Sequence, residues 1–147
     1  MSKASPRISI VLPFRDAATF LADAVESILK QSDVDLELLA IDDGSIDAGP
    51  VIVRDFGQRD TRVRCLSTGG DGIVAALNLG LAKAKAPYLA RMDADDIADP
   101  RRLEVQHALL ESDQSLVGCG CGVRYFPAEL VRDGARRYEA WLNAVRS

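Results

Sequence analysis

The sequence predicts an α/β fold, with a mostly parallel sheet and helices on both faces. Three observations carry that reading. Short β-branched apolar runs alternate with longer stretches of helical periodicity. The first two of these runs are nearly continuous in apolar residues, as parallel strands buried on both faces are. Three segments that follow strand-like runs, Pro13 to Asp16, Asp42 to Ser45 and Asp93 to Asp96, carry aspartate. Ligands of open parallel sheets bind outside the carboxyl ends of the strands, where strand order reverses. The three aspartate segments therefore share the end of the fold that binds ligands.

Ile8 to Leu12, closed by Pro13, is the first strand. Asp16 stands at the N-cap position of a helix from Ala17 to Gln31, whose apolar positions are Phe20, Leu21, Ala24, Val25, Ile28 and Leu29. Leu36 to Ile41 is the second strand. Gly49-Pro50 opens a weaker helix with Val51 to Phe56 as its apolar part, because proline is tolerated in a first turn. Arg62 to Leu66 alternates and belongs nearer a sheet edge. After the loop Gly69 to Gly72, a helix runs from Ile73 to Lys85 with Ile73, Ala76, Leu77, Leu81 and Ala84 apolar. Tyr88 to Met92 is the fourth strand. Asp99 caps and Pro100 opens the next helix, with Leu103, Val105, Leu109 and Leu110 as its apolar residues. Ser115 to Val123 reads as a further strand, made pliable by Gly118, Gly120 and Gly122. Gly134 to Val145 reads as a helix with Tyr138, Trp141, Leu142 and Val145 near one face. No repeat, low-complexity segment or linker interrupts residues 1–147, so one domain is expected.

Composition narrows the function. With 48% apolar and 27% charged residues the chain has the balance of a soluble globule. The net charge of −4 provides no basic excess to replace counterions, so no nucleic-acid partner is expected. Cys65, Cys119 and Cys121 are read as reduced and mostly buried, since Cys119-Gly120-Cys121 lacks zinc-knuckle spacing. His107 is the single histidine, so neither a histidine metal site nor a histidine-based triad can form; it is read as a helix-surface residue. The apolar run Ile8 to Leu12 is too short for a signal sequence or membrane span. The expected location is the cytoplasm, free or peripheral at the inner face of the membrane.

The most concentrated chemistry lies in Met92-Asp93-Ala94-Asp95-Asp96-Ile97-Ala98-Asp99-Pro100. Carboxylates this close repel one another unless a positive group or a helix N-terminus is near. Asp93 and Asp95 form a D-x-D pair, and on an extended backbone residues two apart project to one side. Such a pair can grip Mg2+ or Mn2+, with water and a diphosphate completing the coordination. Asp99 fits a helix cap, and Arg91 fits a counter-charge for its acidic neighbours. Arg15 suits a phosphate contact or an ordinary surface position. Asp42-Asp43-Gly44-Ser45 reads as an Asx-type turn or as an acceptor for a nucleobase N–H or a ribose hydroxyl.

A competing pattern is Gly70-Asp71-Gly72-Ile73-Val74-Ala75, which matches G-x-G-x-x-A, with Asp93 about twenty residues on. It suggests an NAD-type dinucleotide-binding domain. Against it, Asp71 places a negative side chain in the phosphate loop, and Asp42, Asp43, Asp95 and Asp96 are left without a role. A phospho-acceptor receiver domain is disfavoured too: the acidic pair follows the second strand, and no lysine follows Lys85.

Taken together, the opening strand with Pro13, the Asp42-Asp43-Gly44-Ser45 turn, the helix Gly72…Ala76-Leu77-Asn78…Gly80 and Tyr88…Met92-Asp93-Ala94-Asp95-Asp96 resemble family 2 glycosyltransferases over about Ile8 to Leu110. The resemblance implies a Rossmann-like GT-A fold, here its donor-binding half. It implies transfer of a sugar, with inversion, from a nucleoside-diphosphate sugar to an acceptor hydroxyl on a sugar, lipid or protein. Pro13 and Phe14 would border the nucleoside, largely through backbone atoms. Asp43 would hydrogen-bond the base with Asp42 beside it. Asp93 and Ala94 would lie near the ribose and diphosphate, Asp95 with Asp93 would hold Mn2+ or Mg2+, and Asp96 would face the donor sugar. Leu77 stands where many members carry arginine. Members also continue well beyond this length into an acceptor-binding part that supplies the catalytic base, so no catalytic residue is assigned. The expectations are a chain that binds donor with little turnover and that self-associates through uncovered sheet surface; the alternative is an inactive nucleotide-binding module.

Overall fold

A computed structural model describes residues 5–32 and 34–144. They fall into two compact units, which divide between His107 and Ala108. The first unit contains β1 (Ile8–Phe14), α1 (Ala18–Leu29), β2 (Leu36–Asp42), α2 (Gly49–Arg59), β3 (Val63–Ser67), α3 (Ile73–Lys83) and β4 (Tyr88–Arg91). The next helix, α4 (Arg102–Ser112), begins in this unit. All four strands are parallel, in the order β3-β2-β1-β4. The chain steps outward from β1 to β3, then crosses back to place β4 on the other side of β1. The switch point therefore lies between β1 and β4.

Side-chain alternation explains why helices occupy both faces. Ile8, Ile10, Leu12 and Phe14 pack with Leu36, Leu38 and Ala40 against Leu21, Ala24, Val25 and Ile28 of α1 and Val53 of α2. The intervening Val11, Leu39 and Ile41 face Ala76 of α3. β1 and β2 are thus buried on both sides, and their apolar runs follow from that. At Gly80, α3 lies so close to the sheet that an added Cβ would overlap the Val11 side chain.

Two polar side chains interrupt β1 and β2 inside the core. Ser9 is fully buried and Glu37 is 6% exposed. Ser9 donates to Glu37 Oε1 at 2.7 Å, and the Lys85 N–H donates to the same oxygen at 2.7 Å. The Ser9 hydroxyl also accepts from the Lys85 and Ala86 N–H groups, and Arg64 pairs with Glu37 at 3.5 Å. A buried carboxylate is tolerable when hydrogen-bonded and paired in this way. The network fixes the α3–β4 connection to the two central strands.

Several expectations change. Phe20, Ile73, Leu81, Val105 and Leu109 are exposed, although periodicity placed them on apolar faces. Only Leu103 of α4 is buried. No cysteine is buried: Cys65 and Cys119 are half-buried and Cys121 is exposed, and none of the three is in a disulfide among the described residues. His107 is a half-buried packing residue rather than a surface one; its ring meets Tyr88 edge-on at 4.9 Å.

The second unit contains the rest of α4, a short 3-10 turn at Ala128–Leu130 and α5 (Asp133–Ala144). The expected strand from Ser115 to Val123 is irregular chain instead. A strand needs a partner ladder, and three glycines leave little side chain to hold one in place. Val123 bonds to a side chain in place of a strand: its N–H donates to Asn143 Oδ1 at 2.8 Å and its carbonyl accepts from Asn143 Nδ2 at 2.7 Å. α5 forms where predicted, with Tyr138 and Trp141 stacked at 5.6 Å. Val145 lies outside the described residues. No helix among the described residues is long and apolar enough to cross a membrane.

Gly80→Ala is expected to destabilise the protein by about 1–3 kcal/mol, because Val11 is stiff and fully packed. Gly118→Ala, with nothing within 4 Å of the added atom, is expected to change stability by less than about 0.5 kcal/mol. Urea unfolding midpoints of the two variants test the contrast.

Candidate functional site at the carboxyl ends of the strands

The turns after β1 and β2 are laced together by side chains. Asp16 does not cap α1 as expected. It adopts a left-handed conformation (φ 51°), and its carboxylate accepts the Ile46 N–H at 2.8 Å. Its own N–H donates to Ser45 Oγ at 3.1 Å. The cap comes from the neighbouring turn: Asp47 Oδ2 accepts the Ala18 N–H at 2.7 Å while Oδ1 accepts the Gly49 N–H at 2.8 Å. One carboxylate thus serves the starts of both α1 and α2, where the helix dipoles favour negative charge. Sequence reasoning overlooked Asp47; the available signal was an aspartate two residues before a Gly-Pro helix start.

Asp42 and Asp43 have different tasks. Asp42 Oδ1 accepts the Ser45 N–H at 2.8 Å and so forms the Asx-type turn. Asp43 is only 6% exposed. Its N–H donates to the Phe14 carbonyl, and its Oδ1 accepts from Thr68 Oγ1 at 2.7 Å and from the Gly72 N–H at 2.9 Å. The Thr68 hydroxyl foremost, then the Gly72 N–H and the Arg15 charge, hold the Asp43 carboxyl below its ordinary value against the opposing effect of burial. Among the described residues Oδ2 has no partner, yet no buried side-chain oxygen is unpartnered. Oδ2 therefore reaches solvent. Gly44 (φ 78°) passes so near Gly70 that a Cβ would lie 3.0 Å from its Cα, and Gly72 (φ 92°) needs the left-handed region to present its N–H.

Pro13 and Phe14 end β1 between these turns and β4. Both are buried, and Phe14 is part of the core, so they border the crevice through backbone. Beyond β4 the acidic segment is a turn rather than extended chain: the Asp96 N–H meets the Asp93 carbonyl at 3.3 Å. The expected strand alternation of Asp93 and Asp95 is therefore absent. Asp93 pairs with Arg91 at 2.8 Å, which bears out Arg91 as a counter-charge. The Ala94 side chain is buried in the core, so a ligand can meet only its backbone. Asp95 is exposed and makes no hydrogen bond or ion pair with the described residues. Asp96 is exposed, and partial desolvation of its carboxyl, with the charges of Asp95 and Asp93, pushes it above its usual range; Arg102 and Arg91 only partly offset this. Asp99 Oδ1 accepts the Arg101 N–H just before α4. Just after α1, Gln31 takes the Leu103 N–H and donates to the Asp99 carbonyl, and Ser27 of α1 takes the Ala98 N–H. Gln31 and Ser27, also unforeseen, seat the segment that follows the acidic turn.

No group of three or more histidine, cysteine or acidic side chains is gathered for a metal among the described residues. A divalent cation that takes one or two carboxylates and draws its other ligands from phosphate and water still fits. Asp95 is uncommitted, and its acidic neighbours lack full compensation.

Residues 9–146 match the sequence pattern of Glycosyl transferase family 2. The chain belongs to that family. A putative glycosyltransferase, EpsE, of Bacillus subtilis is 35% identical over 133 residues, which is 89% of this chain and 48% of the relative. A mannosyltransferase of Pyrobaculum calidifontis, solved with GDP-Man and Mn2+, superposes with a TM-score of 0.64 at 23% identity over 74% of this chain and 33% of its own. Glucosyl-3-phosphoglycerate synthase of Mycobacterium tuberculosis, solved with Mn2+, UDP and glucosyl-3-phosphoglycerate, gives 0.56 at 26% identity over 79% and 42%. The chain spans between about a third and a half of the length of the curated relatives EpsJ and EpsE of Bacillus subtilis. The fold is that of GT-A glycosyltransferases, as expected. Family 2 membership displaces the dinucleotide reading, and the geometry explains why: the glycine loop follows the edge strand β3, and its Gly72 N–H binds a carboxylate of the protein.

Two outcomes are expected of these turns. Asp47→Ala should cost about 1–2 kcal/mol in urea unfolding, the effect of losing a helix cap. Asp43 has a lowered carboxyl pKa in the folded state, so its charge stabilises the fold above the ordinary carboxylate range. That stabilisation is lost as pH falls through the folded-state value. The gap in unfolding midpoint between the native chain and Asp43→Asn should therefore be widest near neutral pH and close below about pH 3.9. A gap independent of pH would show that the loop does not depend on the charge.

Proposed function

We propose that the protein transfers a sugar from a nucleoside-diphosphate sugar to an acceptor hydroxyl, with inversion, and that residues 9–107 hold the donor. The observation that carries this reading is that carboxylate oxygens without partners among the described residues stand at the ends of the two strands that flank β1. Asp43 Oδ2 opens from the end of β2, and Asp95 stands in the turn after β4. β1 lies between them, so the two strand ends are about 10 Å apart. That span suits a base at one side and a diphosphate at the other.

In this reading Asp43 accepts a base N–H while Asp42 holds the turn beneath it. Pro13 and Phe14 line the nucleoside with backbone. Asp93, kept in place by Arg91, lies toward the ribose and diphosphate, with the Ala94 backbone beside it, and Asp96 faces the sugar. Asp95, assisted by Asp93, would hold Mn2+ or Mg2+. When bound, the ion would neutralise charge that develops on the departing diphosphate. The Mn2+ and nucleotides in the two solved relatives support this choice of ligands. The group that takes the acceptor proton is assigned to no residue of this chain, so donor binding with little turnover is the expectation for the chain by itself.

Calorimetric titration of nucleoside diphosphates with and without Mn2+ tests the reading. Mn2+ should strengthen binding about tenfold or more, and Asp95→Ala should remove that increment while leaving the metal-free affinity in place. An Asp95→Ala chain that keeps the full Mn2+ effect would sink the metal assignment.

A further inference from the structure

Asp43 has one oxygen in use and one open, and this asymmetry limits what it can recognise. A carboxylate oxygen offers two lone pairs. On Oδ1 both are taken, by Thr68 Oγ1 at 2.7 Å and the Gly72 N–H at 2.9 Å. Oδ2 alone faces solvent. The residue is otherwise enclosed, with 6% of its surface exposed, so the carboxylate cannot turn to offer both oxygens without breaking the Thr68 and Gly72 bonds. The loop carrying those two donors is itself held in place: the Thr68 N–H bonds to the Asp42 carbonyl, and Gly70 packs against Gly44.

Bases differ in what they can present to a single acceptor oxygen. Uracil and thymine present one imide N–H, flanked by two carbonyls. Guanine presents N1–H and the 2-amino group side by side, a pair that matches both oxygens of a free carboxylate. Against Asp43, one of those donors meets an oxygen already saturated, and a donor held against an acceptor that cannot take it loses the bond it would make in water. Cytosine turns an acceptor, N3, toward the carboxylate. We propose that Asp43 and Thr68 together select a nucleoside diphosphate whose base has a single imide N–H, the uracil and thymine class. Thr68 is then a specificity-determining residue: it touches no ligand, but its hydroxyl occupies the lone pair that a two-donor base needs. This rests on the reading, proposed above, that Asp43 meets the base.

The experiment is calorimetric titration of the whole chain, in Mn2+, with UDP, dTDP, GDP and CDP. UDP or dTDP should bind about tenfold or more tightly than GDP and CDP. Thr68→Val keeps shape but lacks the hydroxyl; it should narrow the UDP:GDP ratio at least about fivefold, mainly through gained GDP affinity. Thr68→Ser, which restores the donor, should return the ratio to that of the native chain and serves if the valine variant fails to fold. GDP binding as tight as UDP in the native chain overturns the proposal, as does a ratio that the hydroxyl does not alter. Base preference that persists in Asp43→Ala sinks the assignment of Asp43 to the base. Absence of binding by any of the four sinks the donor-binding reading and this proposal with it.

Discussion

Parallel strands end without hairpins to join them, so their carboxyl ends must be linked by something other than a tight turn. In this chain Asp43 forms much of that link. Through its N–H it holds the end of β1, through Oδ1 it holds the loop between β3 and α3, and it continues directly from β2. Asp47 and Asp16 add cross-bonds between the turns that follow β1 and β2. Short, ionised side chains suit this work because one carboxylate can accept several backbone N–H groups at helix starts and turns. The aspartates that suggest a ligand site are in large part the structural ties that hold its rim.

The turn after β4 behaves differently. Its backbone is well supported, with Ser27 of α1 and Gln31 just beyond that helix bonded to the segment that follows. Its carboxylates are less so. Arg91 compensates Asp93, and Arg102 reaches the Arg91 carbonyl, yet partial desolvation and like charge still disfavour ionised Asp96. The acidic turn thus keeps like charges close together on a well-bonded backbone, whereas the turns after β1 and β2 use their carboxylates as ties.

The parts legible in the sequence were those set by burial. β1 and β2 read as continuous apolar runs because both faces are covered, and the parallel sheet was legible in the alternation of strands and helices. Errors arose where packing, not periodicity, decides. α4 keeps a helical pattern but buries Leu103 alone, so Val105 and Leu109 gave a false core. Ser115 to Val123 has β-branched residues and no strand to pair with. At the site, positions at strand ends were readable, whereas the bonding was not. Asp16 and Asp47 are bonded across 29 or 30 residues of sequence, and no local rule reveals which turn will supply a cap for another. The same holds for the Asp93–Asp96 turn: the acidic spacing was visible, but one hydrogen bond to the Asp93 carbonyl removes the alternation that spacing suggested.

Commitment of the carboxylates also separates recognition from charge handling. Asp43 is enclosed and half-occupied, so what it can accept is fixed in number and direction before any ligand arrives. In the proposed donor site such an oxygen would discriminate among bases, with little freedom to follow a shifting charge. Asp95 is exposed and uncommitted, so it discriminates little by itself, yet it can approach a hard cation without breaking a bond in the protein. A donor whose base must be read and whose diphosphate must leave needs both kinds of carboxylate. The strand order supplies them on opposite sides of β1: the bonded one where the glycine loop closes over β2, the unbonded one where β4 opens at the switch point.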